Sequence, residues 1–533
     1  MPRSGYTARG GFFAQGNAAA SPGQEKQREA PAYPCRPTGA VPCRGAQEAS
    51  SQGDCSGPAC PNTITNETVQ THGPVRRQMR MNHRVMQLEP DLGRRQARLA
   101  LLAYAHVAIC CISLYCITIT DSFPGVIGFD KSHLTSAILN VLVFSPVVIL
   151  FAFSRFSFGY LVGFYFYIMV LGYLWLIEFS LLDYDHRLAL ISIVLSAFTF
   201  LVPTLFITSP TRQVVVMPAR AFYMMPSVIL IASAAIIGIG ALYNLKLVDL
   251  NEMYKYRAEV ALPVILRYAV WIVSNALLPL AFACFVTSKR FWQAGIALVL
   301  MLLIYPIMLT KMALFAPVWL LFLALVCKLV EARVATILSF FLPVLIGMIL
   351  FVLVKTDLFP LTPGLVYFGT VNTRMVAIPS LALEIYNNYF SAHPLTHFCQ
   401  INAVKLVVAC AYNEPIWAVM ARSYDLGAFN ASLFATEGIA SVGLVLAPVS
   451  ALGCGLIIAL GNRLSSGLPP QFVLLSAGLL PQVLLNVPLS TALLTNGTGL
   501  LFLLWYVAPR SAFDQTAAST AAVSDRRSNA EAA

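Results

Sequence analysis

Glu437 is the residue whose placement most demands an explanation. It falls near one end of an apolar run, 431–460, long enough to cross a bilayer. A carboxylate there is costly and marks a functional position by default. It can take a proton from a hydroxyl, or it can pair with an arginine; both readings stay open. Glu384 and His393 are further candidates for the same proton transfer, set against a solvated acid and a helix-end histidine. Four cations, Arg257, Arg267, Lys311 and Arg374, fall beside the ends of apolar runs. Fixed cations there suit an anionic ligand, and arginine's planar fork can grip phosphate oxygens in pairs. The plainer reading is a cation whose stem lies along lipid while its head reaches water. His393 and His397 are four apart, but Pro394 lies between them and no third ligand is evident. No metal is expected on that basis. The chain has no GxSxG, HExxH or Walker A pattern.

The elements that must position these residues are membrane spans. The chain has 533 residues, 58% hydrophobic and 11% charged, where soluble proteins average roughly a quarter charged. A soluble, several-domain protein is excluded. About twelve apolar runs are long enough to cross the hydrocarbon. They lie near 99–120, 134–153, 158–182, 188–208, 222–245, 263–286, 291–309, 312–330, 334–354, 431–460, 471–490 and 493–508. The expected fold class is all-α: a polytopic integral membrane protein of about twelve transmembrane helices. Nine of them fall in 99–354 and three in 431–508, with one long loop, 355–430, between the groups.

Residues 1–98 read as a disordered basic tail with 13 Lys/Arg and 7 Asp/Glu, and 509–533 as a second disordered tail. Arginines from Arg76 to Arg98 beside the first span place the N-terminus in the cytoplasm, and an even span number returns the C-terminus there. The inner loops then hold eight Lys/Arg with only Glu331 among them, while eleven lie outside. Much of the net charge of +11 comes from the N-terminal tail. It fits an anchor beside anionic lipid rather than a nucleic-acid surface. The tail's Cys35, Cys43, Cys55 and Cys60 lack CxxC-type pairs, so zinc is not expected.

The long loop has structure of its own. From Pro379 onward, Leu383, Tyr386 and Phe390 recur at helical spacing. That predicts an amphipathic helix on or in the outer interface, ended by His393-Pro394. A second helical piece is expected over 399–422. Cys399 and Cys410 would face an oxidising compartment; two unpaired buried thiols are preferred to a disulfide. Asn430 is expected to cap the tenth span. Glu178 is expected to pair with Arg187 or to face a cavity.

Four local patterns carry a resemblance. They are Tyr254-Lys255-Tyr256-Arg257 before a span and Thr310-Lys311-Met312-Ala313-Leu314 in a tight outer turn. The third is the long loop with Arg374, Tyr386 and Tyr389-Phe390-Ser391-Ala392-His393-Pro394. The last is Asn430-Ala431, then Glu437-Gly438, Ala440 and Gly443 entering the tenth span. With the span layout they cover about residues 99–508, and the chain resembles the bacterial oligosaccharide repeat-unit polymerases (Wzy-type, O-antigen polymerase-like). The resemblance implies a glycosyltransferase of the bacterial inner membrane. It would join polyprenyl-pyrophosphate-linked (undecaprenyl-type) oligosaccharide repeat units into a surface polysaccharide, whether O-antigen, capsule or exopolysaccharide, at the periplasmic face. On it, Arg257, Arg267, Lys311 and Arg374 hold the pyrophosphate, and Glu437, Arg374 and His393 are catalytic. Tyr386, Tyr389 and Glu384 contact sugar, although interfacial aromatics also serve simply as anchors. Cationic side chains would neutralise the leaving group, so no metal or cofactor is implied. Partners would be the lipid-linked glycans, the bilayer and a chain-length regulator.

Three other functions compete; one, a non-catalytic membrane scaffold, would not need a cationic outer rim. An O-antigen ligase-type enzyme shares the architecture. A transporter or flippase of lipid-linked glycans should show internal repeats and charges at the midplane; the charges here gather at the outer boundary instead.

Overall fold

The computed structural model describes residues 74–120, 122–248, 256, 260, 262–401, 403–426 and 431–513, with side chains from Gly93 onward. The expectations on residues 1–73 and 514–533, on Arg257 with Tyr254 and Lys255, and on Asn430 lie outside the described residues. Residues 74–98, expected as part of a disordered tail, are helical.

The described chain is helical throughout, with one isolated bridge, Ile127 to Ser180, in place of any sheet. Among the described residues, ten helices are long and apolar enough to cross a membrane: Gly93–Ile119, Lys131–Phe153, Phe158–Phe179, His186–Phe206, Ala219–Tyr243, Val264–Thr287, Phe291–Met308, Lys311–Leu329, Ala332–Lys355 and Phe434–Ser465. They follow the first ten apolar runs in order. Large apolar side chains such as Val143, Ile231 and Val445 stand exposed along them, as expected where lipid is the solvent.

The third span, Phe158–Phe179, is the axis of the bundle, with its whole hydrophobic window buried. It is apolar on every side, which suits a helix surrounded by helices. Several of its polar tips find partners. The Tyr167 hydroxyl donates to the Ser145 carbonyl at 3.1 Å, and Trp175 Nε1 donates to Thr118 Oγ1 at 3.2 Å.

The eleventh and twelfth expected spans are replaced by four short helices, Pro470–Ser476, Leu480–Asn486, Leu489–Leu494 and Thr498–Val507. None can cross alone, since even the longest would reach only about 15 Å. Pro481 and Pro488 and the left-handed Gly497 punctuate the segment. Most of 472–485 is buried, so protein rather than lipid surrounds the interruptions.

The long connection holds the largest departure from expectation. Residues 361–392 form one unbroken helical run, made of Leu361–Phe368, a π-helical stretch Gly369–Ala377, and Ile378–Ala392. From Ile378 onward it is not a surface helix. Leu381, Leu383, Glu384, Ile385 and Tyr386 are all buried. The helix packs against the ninth span first and the third span later. Asn372 Nδ2 donates to the Val344 carbonyl at 2.9 Å and to Ser113 Oγ at 3.1 Å, and Ser380 Oγ donates to the Met169 carbonyl at 2.8 Å. Two glycines make room. A Cβ on Gly347 would stand 1.7 Å from Asn372 Oδ1, and one on Gly172 would stand 2.4 Å from Ser380 Oγ. The periodic apolar residues thus face a protein core, not lipid. After it, the expected helix over 399–422 is reduced to a short turn, Val404–Leu406, and one helix, Ile416–Tyr424.

Candidate functional site

The inserted helix, called here the loop helix, gathers most of the sequence candidates. Arg374, Glu384, Tyr386, Tyr389 and His393 follow one another along it and its exit. Arg374 lies in the π-helical stretch and is exposed. Widened turns of this kind are frequent at functional sites. Glu437 lies on another, Phe434–Ala440, and the loop helix packs directly on that segment. Burial, and then the nearby Glu437 carboxylate, push the Tyr386 hydroxyl well above its ordinary range. The two residues, far apart in sequence, are thereby neighbours.

Glu437 is buried and fully hydrogen-bonded. Thr436 Oγ1 donates to its Oε2 at 2.7 Å, and the Ser490 N–H and hydroxyl donate to Oε1, each at 3.2 Å. The donors are neutral. The arginine partner left open by the sequence is not there among the described residues. The acid instead receives a backbone N–H at the start of Leu489–Leu494, where a negative charge is favoured.

Glu384, expected at an accessible sugar-contacting position, is fully buried. Its Oε2 accepts the Tyr184 hydroxyl at 2.5 Å. Tyr184 also meets the Tyr173 hydroxyl at 3.2 Å, and Asn387 Nδ2 donates to that hydroxyl at 2.6 Å. Burial raises the Glu384 carboxyl to about 7, while hydrogen bonds from Tyr184 and Ser180 pull it the other way. Sequence reasoning missed Tyr184, Tyr173 and Asn387, because nothing in their spacing links positions some 200 residues apart.

His393 closes the helix. Its ring stacks on Tyr389, centroids 3.9 Å apart and 4° from parallel, and Nδ1 meets the Tyr389 carbonyl at 2.8 Å. A carbonyl only accepts, so Nδ1 carries a proton, and in the neutral ring Nε2 is the nitrogen with the lone pair. Tyr412 joins the cluster from the loop beyond, 6.1 Å from Phe390 by ring centroids. Tyr386 is 1% exposed and Tyr389 9%. Their rings serve first as packing, and only the Tyr389–His393 stack reaches the surface.

The cations are not gathered into one cluster by the interactions described. Arg267 is exposed in the first turn of the sixth span, and its Nη2 donates to its own chain at the Leu262 carbonyl, 3.2 Å away. Lys311 opens the eighth span, half-buried behind Thr310, whose hydroxyl accepts the Ala313 N–H at 3.4 Å. Of the three described, only Arg374 shares the loop helix with Glu384 and the tyrosines. Glu178 is held by Asn140 Nδ2 at 2.7 Å rather than by Arg187. No group of three or more His, Cys, Asp or Glu is placed to hold a metal among the described residues.

Cys399 and Cys410 are joined in a disulfide, where the sequence reading preferred two thiols. The segment before it is fastened to the end of the second π turn. The Thr396 N–H donates to the Ala440 carbonyl at 2.7 Å, and the His397 N–H to the Ser441 carbonyl at 3.2 Å. Gly443 breaks the tenth span there with φ of 75°. This backbone fold brings the two cysteines to the same place, which an 11-residue separation alone does not dictate.

No family model, curated protein or solved structure matches this chain. What it does must be argued from the bundle and from this site.

Proposed function

We propose that the protein is a membrane glycosyltransferase that polymerises polyprenyl-pyrophosphate-linked oligosaccharide units, acting on the side where the loop helix leaves the bundle. The loop helix carries this reading. One element set into a membrane-type bundle bears an exposed arginine, a histidine with a free Nε2, and aromatic rings, and packs on a second acid-bearing turn.

In the reaction, the acceptor hydroxyl oxygen bonds to the anomeric carbon of the growing glycan. The bond from that carbon to the pyrophosphate oxygen breaks, and its electron pair leaves with the lipid pyrophosphate. Arg374 faces that developing charge, with Arg257, Arg267 and Lys311 as further cations for the lipid-bound phosphates. The hydroxyl proton passes to a base. Two acceptors flank the loop helix, Glu437 against its side and His393 Nε2 at its exit; His393 lies about 25 Å beyond Arg374 along the helix, so a reaction using it as base would draw on cations other than Arg374. Glu384 and Tyr386 hold the helix in place for the sugars that Tyr389 meets.

The test is a strain lacking its own copy of this gene, complemented with variants and assayed for surface-glycan length on gels. Deletion should collapse the ladder to single repeat units. Wild type should restore it, and Arg374→Ala at equal abundance should not. A normal ladder with Arg374→Ala would remove Arg374 from catalysis. Loss of all glycan from the final acceptor, with polymer still made, would favour the ligase reading.

A further inference from the structure

The disulfide-closed loop after the loop helix carries a feature the proposed reaction does not use. Leu406 and Val407 are 87% and 88% exposed, side by side at its tip, and Lys405 beside them is exposed too. Adjacent apolar side chains this open are as exposed as those on the outer faces of the spans, where Val445 is 74% exposed. On the spans, lipid covers such residues.

The root of the loop is fastened to the first turns of the tenth span. Thr396 and His397 bond to Ala440 and Ser441, just before the Gly443 break and the uninterrupted part of the tenth span. Beyond that break, the Leu444 carbonyl accepts the hydroxyl of Ser192, which is less than two turns from the start of the fourth span. The disulfide shortens the leash, since Cys410 sits 5.3 Å from Cys399 by Cα atoms. Four residues from Cys410, Leu406 can lie no further than about 14 Å from it. The tip therefore stays close to that end of the tenth span, and so to the leaflet that end would enter.

We propose that this loop is a lipid anchor: Leu406 and Val407 enter the interfacial region of that leaflet, and Lys405 stays at the phosphates. Apolar side chains flanked by a lysine bind an interface in this way, the stem lying along acyl chain while the ammonium reaches the headgroups. The disulfide holds the tip as a compact knuckle, and the anchor in turn keeps the loop beside the exit of the loop helix.

Full-length protein in phosphatidylcholine nanodiscs, with and without lipids spin-labelled near the headgroup, tests this. Leu406→Trp is compared with Asn413→Trp, at an exposed polar position in the same segment, each as a difference from the parent. For Leu406→Trp we expect a blue-shifted emission, lost on adding labelled lipid and resistant to aqueous iodide. Asn413→Trp should show the reverse. Iodide quenching of Leu406→Trp equal to that of Asn413→Trp overturns the anchor. Resistance to both quenchers also overturns it, since the tip then rests on protein. Val407→Trp repeats the measurement should Leu406→Trp not fold.

Discussion

Tyr184 donates its hydroxyl to Glu384 Oε2 at 2.5 Å, tying the turn after the third span to the helix inserted from the long connection. The acid has no charged partner among the described residues; its neighbours are the hydroxyls of Tyr184 and Tyr173, with the His186 ring against Tyr184 at 4.3 Å. A neutral setting of this kind favours the protonated acid, hence the rise to about 7.

That rise has a sign that can be checked. The native state holds this proton more tightly than the unfolded chain, so the contribution of Glu384 is best at low pH. It declines as pH climbs from the ordinary carboxyl range through about 7. Thermal unfolding of the detergent-solubilised protein should therefore show this part of the stability falling between mildly acidic and neutral pH. Glu384→Gln should flatten it. An unchanged pH profile for the variant would mean that Glu384 is already ionised in the folded protein.

The seat of the loop helix depends on two missing side chains. Gly172→Ala places a methyl 2.8 Å from the Val376 carbonyl, and Gly347→Ala places one against Asn372. Overpacking of this sort costs about 1–3 kcal/mol. Both variants should lower the melting temperature and also impair glycan polymerisation, since the π stretch that holds Arg374 must shift. Wild-type stability in both would show that the helix is not seated there.

The two candidate bases separate by substitution. His393→Asn should reduce chain extension by about 100-fold or more if Nε2 takes the proton, with melting temperature little changed because the side chain is exposed. Glu437→Gln should destabilise the protein, because the acid accepts three hydrogen bonds from Thr436 and Ser490. Polymerisation that survives His393→Asn but is lost in a folded Glu437→Gln protein would assign the proton to Glu437.

The disulfide is open to direct chemistry. Cys399 and Cys410 should resist maleimide until reduced. Cys399→Ser with Cys410→Ser should loosen the loop, at about 2–4 kcal/mol by the usual scale for a closed loop. Protease cleavage within 399–410 should then rise. Labelling of both cysteines without reductant would refute the bond.

Sequence alone determined the membrane architecture, because twenty-odd apolar residues in a row have one physical solution in water, and the first ten runs became ten span-length helices. It also singled out Glu437, since an acid amid apolar residues is visible without coordinates. It misjudged the loop helix. Leu383, Tyr386 and Phe390 recur at the spacing that any half-buried helix shows, and periodicity does not say whether lipid or protein covers the face. At 471–508 hydropathy ignores the prolines and Gly497 that break the apolar runs into four short helices. Only tertiary structure decided that Glu384 meets Tyr184, that Tyr386 stands near Glu437, and that two cysteines close a loop. Those pairings follow from how helices distant in sequence cross inside the bundle, and local composition carries no record of such a crossing.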